Sequence, residues 1–138
     1  MSGEGSSLIT ASTIRGWFHA WEQLIGSVDY DAARELFTDD VVAFGTVARV
    51  VLGLDALENQ QWRSVWGRIE GFEFDLDGLV AGTSADELTG WGACLWSSTG
   101  HLPDGTAFHR PGRCTAVLSR RAVDHPWRAV HTHLSLVP

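Results

Sequence analysis

The chain has 138 residues, of which 44% are hydrophobic, and its net charge at pH 7 is −7, with ten arginines and no lysine. This length and composition are typical of one globular domain with a substantial core. The acidic balance argues against nucleic acid as a partner, because nucleic-acid binding needs a clustered positive surface. The absence of lysine excludes Schiff-base catalysis and the lysine of a P-loop.

The sequence also bears on location and on redox chemistry. No apolar run approaches the length of a membrane span, and the N-terminal residues lack the basic and then apolar order of a signal peptide. We therefore expect a cytoplasmic protein without a membrane partner. Cys94 and Cys114 are too far apart for a zinc knuckle or a Cys-x-x-Cys motif, and their apolar surroundings predict buried free thiols.

Three helices are predicted after a flexible polar tail over residues 1–8. The first has Thr10, Ser12 or Thr13 as candidate caps and Gly26 near its end. A second, short helix follows Asp29, and a third, over about residues 55–69, opens with a capping-box sequence. The first helix carries its apolar residues at helical spacing, at Ile14, Trp17, Phe18, Trp21, Leu24 and Ile25.

Six strands are predicted, two short and four long. The long strands follow from alternation of apolar and polar residues with a period of two. Helices followed by a run of strands predict a single α+β domain over residues 9–138, in which three helices cover the concave face of a curved antiparallel sheet of about six strands. The strands are predicted at residues 39–45, 48–53, 71–77, 86–98, 112–121 and 127–138, with a turn at 122–126.

The C-terminal strand has two chemically different faces. One face carries His131 and His133, and the other is apolar. In an antiparallel hairpin closed by the predicted turn, Arg113 of the preceding strand lies beside His133, and Thr115 lies beside His131. We therefore predict that these four side chains form one polar patch, which is the floor of a candidate site.

Four segments carry a family resemblance: Phe37-Thr-Asp-Asp-Val-Val, Gly53 before the third helix, Gly112-Arg-Cys-Thr-Ala-Val-Leu, and Trp127-Arg-Ala-Val-His-Thr-His-Leu-Ser. With the order of the elements, they resemble the SnoaL-like branch of the nuclear transport factor 2-like superfamily, over essentially the whole chain from about Ile9. The resemblance implies a cone-shaped sheet closed by three helices around a deep apolar pocket. It also implies a homodimer through the outer face of the sheet.

The superfamily includes ketosteroid isomerases, polyketide cyclases, epoxide hydrolases, dehydratases and non-catalytic association domains, so the resemblance does not select a function. Departures from the isomerase pattern narrow the field. Gly45 occupies the position of the aspartate base, the only tyrosine, Tyr30, lies outside the first helix, and Thr115 stands about where a second aspartate is expected. The Asp-Arg-Asp arrangement of limonene-epoxide-type hydrolases is not found either. Steroid isomerisation is therefore not expected.

The predicted polar patch suits proton transfer at carbon. His131 and His133 are the candidate general acid and base, and Asp40 is a further candidate base. Arg113 would stabilise an enolate or carboxylate, and Thr115 would contact the substrate and hold the geometry. The hypothesis is isomerisation, cyclisation or dehydration of a hydrophobic cyclic or polyketide-like carbonyl compound, without an organic cofactor or a metal. The predicted substrate-binding wall consists of Trp17, Trp21, Phe44, Trp62, Trp66 and Trp91.

Several alternatives stay open at this point. The histidine pair could be structural, or it could bind a metal ion with His109 as a third ligand. If the strand faces are reversed, His131, His133 and Arg113 lie at the dimer interface and the pocket is almost wholly apolar. Ligand binding without catalysis would then be favoured. A pocket filled by its own tryptophans would favour a dimeric association module.

Overall fold

The computed structural model describes residues 11–137, and the predicted tail over residues 1–8 lies outside this part. Within it, seven strands form one sheet, and the helices pack on one face. The helices are α1 (Ile14–Gly26), α2 (Tyr30–Arg34) and α3, the helical segment 54–68. The strands are β1 (Phe37–Phe44), β2 (Val50–Leu52), β3 (Glu70–Phe74), β4 (Val80–Thr83), β5 (Thr89–His101), β6 (Ala107–Ser119) and β7 (Arg128–Leu136).

Helix α1 begins after Thr13, one of the three candidate caps. The Thr13 hydroxyl oxygen accepts a hydrogen bond from the Gly16 amide at 2.9 Å, which satisfies one of the free N–H groups of the first turn. On the buried face, the indole N–H of Trp17 donates to the Leu36 carbonyl oxygen at 2.9 Å, so the helix is tied to the chain that enters β1. No helix within residues 11–137 is long and apolar enough to cross a bilayer. The cytoplasmic location stays a prediction.

Segment α3 does not begin with the predicted capping box. It follows Gly53, whose φ of +91° favours glycine, and no side chain caps it. Glu58 is buried instead between two guanidinium groups, at 3.1 Å from Arg34 and 2.8 Å from Arg63. The segment is α-helical over Leu54–Leu57, π-helical over Glu58–Trp62, α-helical over Arg63–Val65 and 3-10 over Trp66–Arg68.

The strand order across the sheet is β2-β1-β7-β6-β5-β3, and β4 is added beside β5. Neighbouring strands are antiparallel except β1 and β7, which run parallel, so the sheet is mixed. It curls without closing, and the predicted α+β class with three helices over one sheet is confirmed. Strand β4 was not predicted, because Val80-Ala-Gly-Thr83 is mostly exposed and lacks an apolar alternation.

The core between helices and sheet is built largely from aromatic rings. The ring of Trp17 lies 5.0, 5.2 and 5.7 Å from those of Phe18, Trp21 and Phe37. Trp62 and Trp66 stack at 4.6 Å on the side of α3. Because these rings occupy most of the space under the helices, little room remains for a ligand.

Cys94 and Cys114 are opposite each other on β5 and β6, and the prediction of buried free thiols is confirmed. Burial raises the pKa of Cys94 to about 12, with a smaller contribution from Asp75 and Glu22. Burial also raises the pKa of Cys114 well above its usual range, and the neighbouring Cys94 adds to the effect. Both thiols therefore stay protonated in the folded protein at neutral pH.

We expect the stability of the fold to fall as the pH rises above 9 towards 12. In that window the thiols of the unfolded chain ionise while those of the folded chain do not, so a raised folded pKa gives a loss of stability with rising pH. The chain has no lysine, which keeps this window nearly free of other titrations. Urea midpoints measured across the window should show the fall, and the double variant Cys94→Ala, Cys114→Ala should weaken it. An equal slope in that variant would contradict the assignment.

Candidate functional site

A small cavity lies between α1, α3 and the concave face of the sheet. Its volume is about 30 Å³, which holds one or two ordered waters. Most of the wall is aromatic or aliphatic, and Thr46, Gln61, Arg110 and Thr132 supply its polar groups. The remaining lining residues are Trp21, Ile25, Phe44, Gly45, Leu57, Trp62, Val65, Trp66, Ile69, Phe72, Trp96 and Leu134.

Arg110 is the one charged residue in this lining. It is 8% exposed, and its guanidinium donates to the Ser98 hydroxyl at 2.8 Å and to the Thr46 hydroxyl at 3.4 Å. The guanidinium carbon lies 5.5 Å from the ring centre of Trp96. Among residues 11–137, no carboxylate lies within 4.0 Å of its nitrogens. Burial lowers the pKa of Arg110, because removal from water disfavours the charged form.

Gln61 holds one rim of the cavity in place. It belongs to the π-helical turn of α3, and its side-chain oxygen accepts from the amides of Val47 and Ala48 at 3.1 and 2.9 Å. Its side-chain nitrogen donates to the Thr46 hydroxyl at 2.9 Å. The loop after β1 is therefore fixed to α3, and Thr46 is fixed beside Arg110.

Gly45 leaves the space that Gln61 occupies. A Cβ built on Gly45 would overlap the side chain of Gln61. Gly45→Ala should therefore push the amide of Gln61 away from Val47 and Ala48 and lower the free energy of unfolding by about 1–3 kcal/mol. Urea denaturation measures the loss, and hydrogen exchange of those two backbone amides should become faster. Gly26→Ala, where nothing lies within 4 Å of the new Cβ, is the control. Unchanged exchange in Gly45→Ala would count against the arrangement.

Trp21 adds an indole N–H group to the wall. Its side chain is 2% exposed, and within the described chain its indole nitrogen is the one buried side-chain nitrogen or oxygen without a hydrogen-bond partner. An indole N–H only donates, so the missing partner is an acceptor.

The structure reverses the predicted faces of β6 and β7. Arg113, Thr115 and His133 are exposed on the outer face, and half-buried His131 lies on the same face, while Thr132 and Leu134 face the cavity. The predicted register is also corrected by two residues, because Thr115 pairs with His133 and Val117 pairs with His131. The predicted polar patch therefore exists in part, but it is not the floor of the cavity.

The reversal has a physical reason. The helices cover the face that carries Cys114, Ala116 and Leu118, which are all buried. Turning the other face inward would have buried two histidines and an arginine against aromatic rings, and burying such polar groups without partners costs several kcal/mol. The apolar set of an alternating strand therefore belongs under the helices.

On the outer face the two histidines pack around Phe44. Its ring lies 5.6 Å from that of His131 and 5.1 Å from that of His133. His131 also forms a hydrogen bond of 2.7 Å between its Nδ1 and the Val42 carbonyl oxygen. In residues 11–137 no group of three or more His, Cys, Asp or Glu side chains is placed to hold a metal ion.

The other predicted site residues divide between cavity, core and surface. Asp40 is exposed on β1 and does not line the cavity, so its predicted position as a pocket base is corrected. Trp17 is packed in the core behind the cavity, and Trp91 is 43% exposed on the outer face. The predicted wall residues that do line the cavity are Trp21, Phe44, Trp62 and Trp66.

Sequence analysis missed Arg110, Gln61 and Thr132. Arg110 lies four residues before buried Cys114 in β6, so both side chains are on the same face of the strand. A charged residue on that otherwise apolar face could have been noticed in the sequence. Gln61 gave no such signal, since its orientation depends on the π-helical turn. Thr132 shares its face with Leu134, on the apolar face of β7, and no pattern in the sequence indicated a role for it.

The fold and the cavity define the class: a curled sheet covered by three helices around an aromatic-lined space is the architecture of nuclear transport factor 2-like proteins. A family model described as a SnoaL-like domain matches residues 14–138. The chain therefore belongs to the SnoaL-like family, and the predicted resemblance is confirmed. No functionally curated protein matches the sequence.

Solved structures share this fold at low sequence identity. A nuclear transport factor 2-like superfamily protein from Salmonella enterica serovar Typhimurium is 17% identical, with a TM-score of 0.75 over 94% of this chain and 92% of that one. A ketosteroid isomerase-like protein from Erwinia carotovora atroseptica is 21% identical, with a TM-score of 0.67 over 91% and 94%. The association domain of C. elegans CaMKII is 14% identical, with a TM-score of 0.63 over 85% and 88%.

Proposed function

We propose that this protein is a dimeric ligand-binding module, which binds a small hydrophobic compound between its helices and its sheet without acid–base catalysis. The composition of the cavity lining carries this proposal. Within the described chain, the lining has no His, Cys, Asp, Glu or Tyr side chain. A ligand there would meet aromatic rings and hydrogen-bond donors, but no group that exchanges a proton near neutral pH.

The acid–base reaction predicted for His131 and His133 is the weaker candidate. A general acid or base must come within hydrogen-bond reach of its substrate. Both histidines lie on the opposite face of the sheet from the cavity. Arg110 could stabilise developing negative charge, but a guanidinium does not act as a base at neutral pH. The lining of this cavity therefore has no side chain that could transfer the proton in an isomerase or dehydratase reaction of the kind found in this superfamily.

The size of the cavity limits the ligand. Typical ligand sites measure about 300–1,000 Å³, whereas this cavity measures about 30 Å³. A single ring enters only if a side chain of the wall moves. Phe44 lines the cavity at its edge, but its ring packs against His131 and His133 on the outer face and does not close the cavity. We expect the ligand to be small.

Binding is tested by titration with cyclohexanone, acetophenone, benzamide and benzoate, followed through the indole N–H signals in NMR spectra. We expect shifts for Trp21, Trp62, Trp66 and Trp96 and none for Trp91 on the outer face. Val65→Phe, which fills the cavity, should abolish binding. Val117→Phe adds the same volume on the outer face and is the control. Shifts confined to Trp91, or no shift with any compound, would refute the proposal.

Exposed apolar side chains on the outer face of the sheet support the homodimer. Apolar side chains are exposed along the outer face, among them Leu95, 56% exposed, and Trp91. Apolar surface of this kind marks protein interfaces, and a second copy would cover it. The CaMKII neighbour, whose name is that of an association domain, has the same fold.

Leu95→Glu should shift the protein from dimer to monomer at micromolar concentration, because the dimer would bury an unpaired carboxylate. Light scattering after size-exclusion chromatography measures the mass. Val123→Glu adds the same charge at an exposed position in the β6–β7 turn and should leave the dimer intact. If the wild-type protein is still a monomer at about 100 μM, this interface is excluded.

A further inference from the structure

Arg110 is a buried cation without an anionic partner in the described chain. Its nitrogens reach two hydroxyl groups, Ser98 and Thr46, and both are neutral. Buried charges in proteins are normally paired with an opposite charge, because desolvation is otherwise not compensated. Arginine remains protonated in proteins even when burial lowers its pKa. The cavity thus contains a full positive charge in need of a counter-charge.

Trp21 provides an independent observation. Its indole N–H is buried, unpaired and part of the wall of the same cavity. A buried donor without an acceptor costs free energy unless a water or a ligand fills the position. The unpaired group is a donor like Arg110, so the two observations indicate the same kind of partner.

The other polar groups of the rim do not meet this need. The side-chain oxygen of Gln61 already accepts from two backbone amides, and its nitrogen donates to Thr46. The Thr46 hydroxyl oxygen is approached by Gln61 and Arg110 together. The cavity therefore has an excess of donors, and the missing group is an acceptor with negative charge.

We infer that the ligand of this cavity is a small monocarboxylate with an apolar body. Its carboxylate pairs with Arg110, which matches a carboxylate through two parallel hydrogen bonds. Trp21 supplies a further donor to the ligand, and the apolar body lies against Trp62 and Trp66. The inference rests on the proposed binding function for the place of the ligand and adds its charge and its chemical class.

Matched pairs of acid and amide test the charge. Propionate and propionamide, and benzoate and benzamide, have nearly the same shape, so calorimetric titration compares the charged member with the neutral one. We expect the acid to bind at least tenfold more tightly than its amide. The indole N–H signal of Trp21 should move on binding of the acid, while that of Trp91 should not.

Variants assign the preference to Arg110. Arg110→Met should abolish the tenfold preference for the acid, and Arg110→Lys, which keeps the charge, should retain part of it. Arg113→Met, an arginine of the same strand on the outer face, should leave the preference unchanged. If Arg110→Met fails to fold, the wild-type comparison of acid with amide and the Trp21 signal still decide.

The outcomes separate the two proposals. Amides that bind as tightly as their acids would overturn the carboxylate inference and leave the binding function standing. An acid preference that survives in Arg110→Met would also overturn it. If neither acids nor amides nor the neutral ring compounds bind, both proposals fail.

Discussion

Replacing Trp17 with alanine is expected to lower the free energy of unfolding by about 4 kcal/mol, a large part of the 5–15 kcal/mol that is typical of a domain. The side chain is fully buried, and its ring packs against Phe18, Trp21 and Phe37. Its removal leaves a cavity under α1. It also leaves the Leu36 carbonyl without its indole donor at the start of β1. Urea denaturation measures the change.

Two variants serve as controls for Trp17→Ala. Trp17→Phe keeps a ring but loses the indole N–H and part of the buried volume, so it should cost less than Trp17→Ala, about 1–3 kcal/mol. Trp91→Ala removes the same side chain type from the outer face, where it is 43% exposed in the single chain, and should cost much less than Trp17→Ala. Similar losses for Trp17→Ala and Trp91→Ala would contradict the assignment of Trp17 to the core.

Gly112→Ala should have the second largest effect, a loss of about 3 kcal/mol. A Cβ at this position of β6 would overlap the ring of Trp96 and the carbonyl oxygen of Ser135 in β7. The backbone oxygen cannot move without breaking the sheet. A displaced Trp96 would lose the hydrogen bond of 3.1 Å from its indole nitrogen to the Arg113 carbonyl. Denaturation curves of the purified variant measure the loss.

Gly67→Ala is the matched control. Nothing lies within 4 Å of a Cβ at Gly67, so this substitution should be neutral or should stabilise by about 0.4–1 kcal/mol. Because Trp96 lines the cavity beside Arg110, Gly112→Ala should also weaken ligand binding, whereas Gly67→Ala should not. If the Gly112→Ala protein is as stable as Gly67→Ala, the backbones of β5, β6 and β7 lie further apart at this point than they do in the structure.

The fold could be predicted well because its signals are local and periodic. The apolar spacing of α1 and the alternation in β5, β6 and β7 each bury a face whatever the neighbours are. The site could be predicted only in part. Trp21, Phe44, Trp62 and Trp66 were expected in the pocket and line it, although the ring of Phe44 lies on the outer face. The polar residues predicted for the site, His131, His133 and Arg113, lie on the outer face of the sheet instead. They were chosen because functional groups were sought on the polar side of the strand.

The sequence alone determined the α+β class, the burial of both thiols and the aromatic character of the interior, since each depends on the order and spacing of residue types. Only the tertiary structure decided which polar groups meet. The parallel pairing of β1 with β7, the two-residue shift between β6 and β7 and the π-helical turn that orients Gln61 are set by packing between distant segments. They leave Arg110, and not His133, facing the cavity, because helices cover the face of a strand that is cheaper to desolvate.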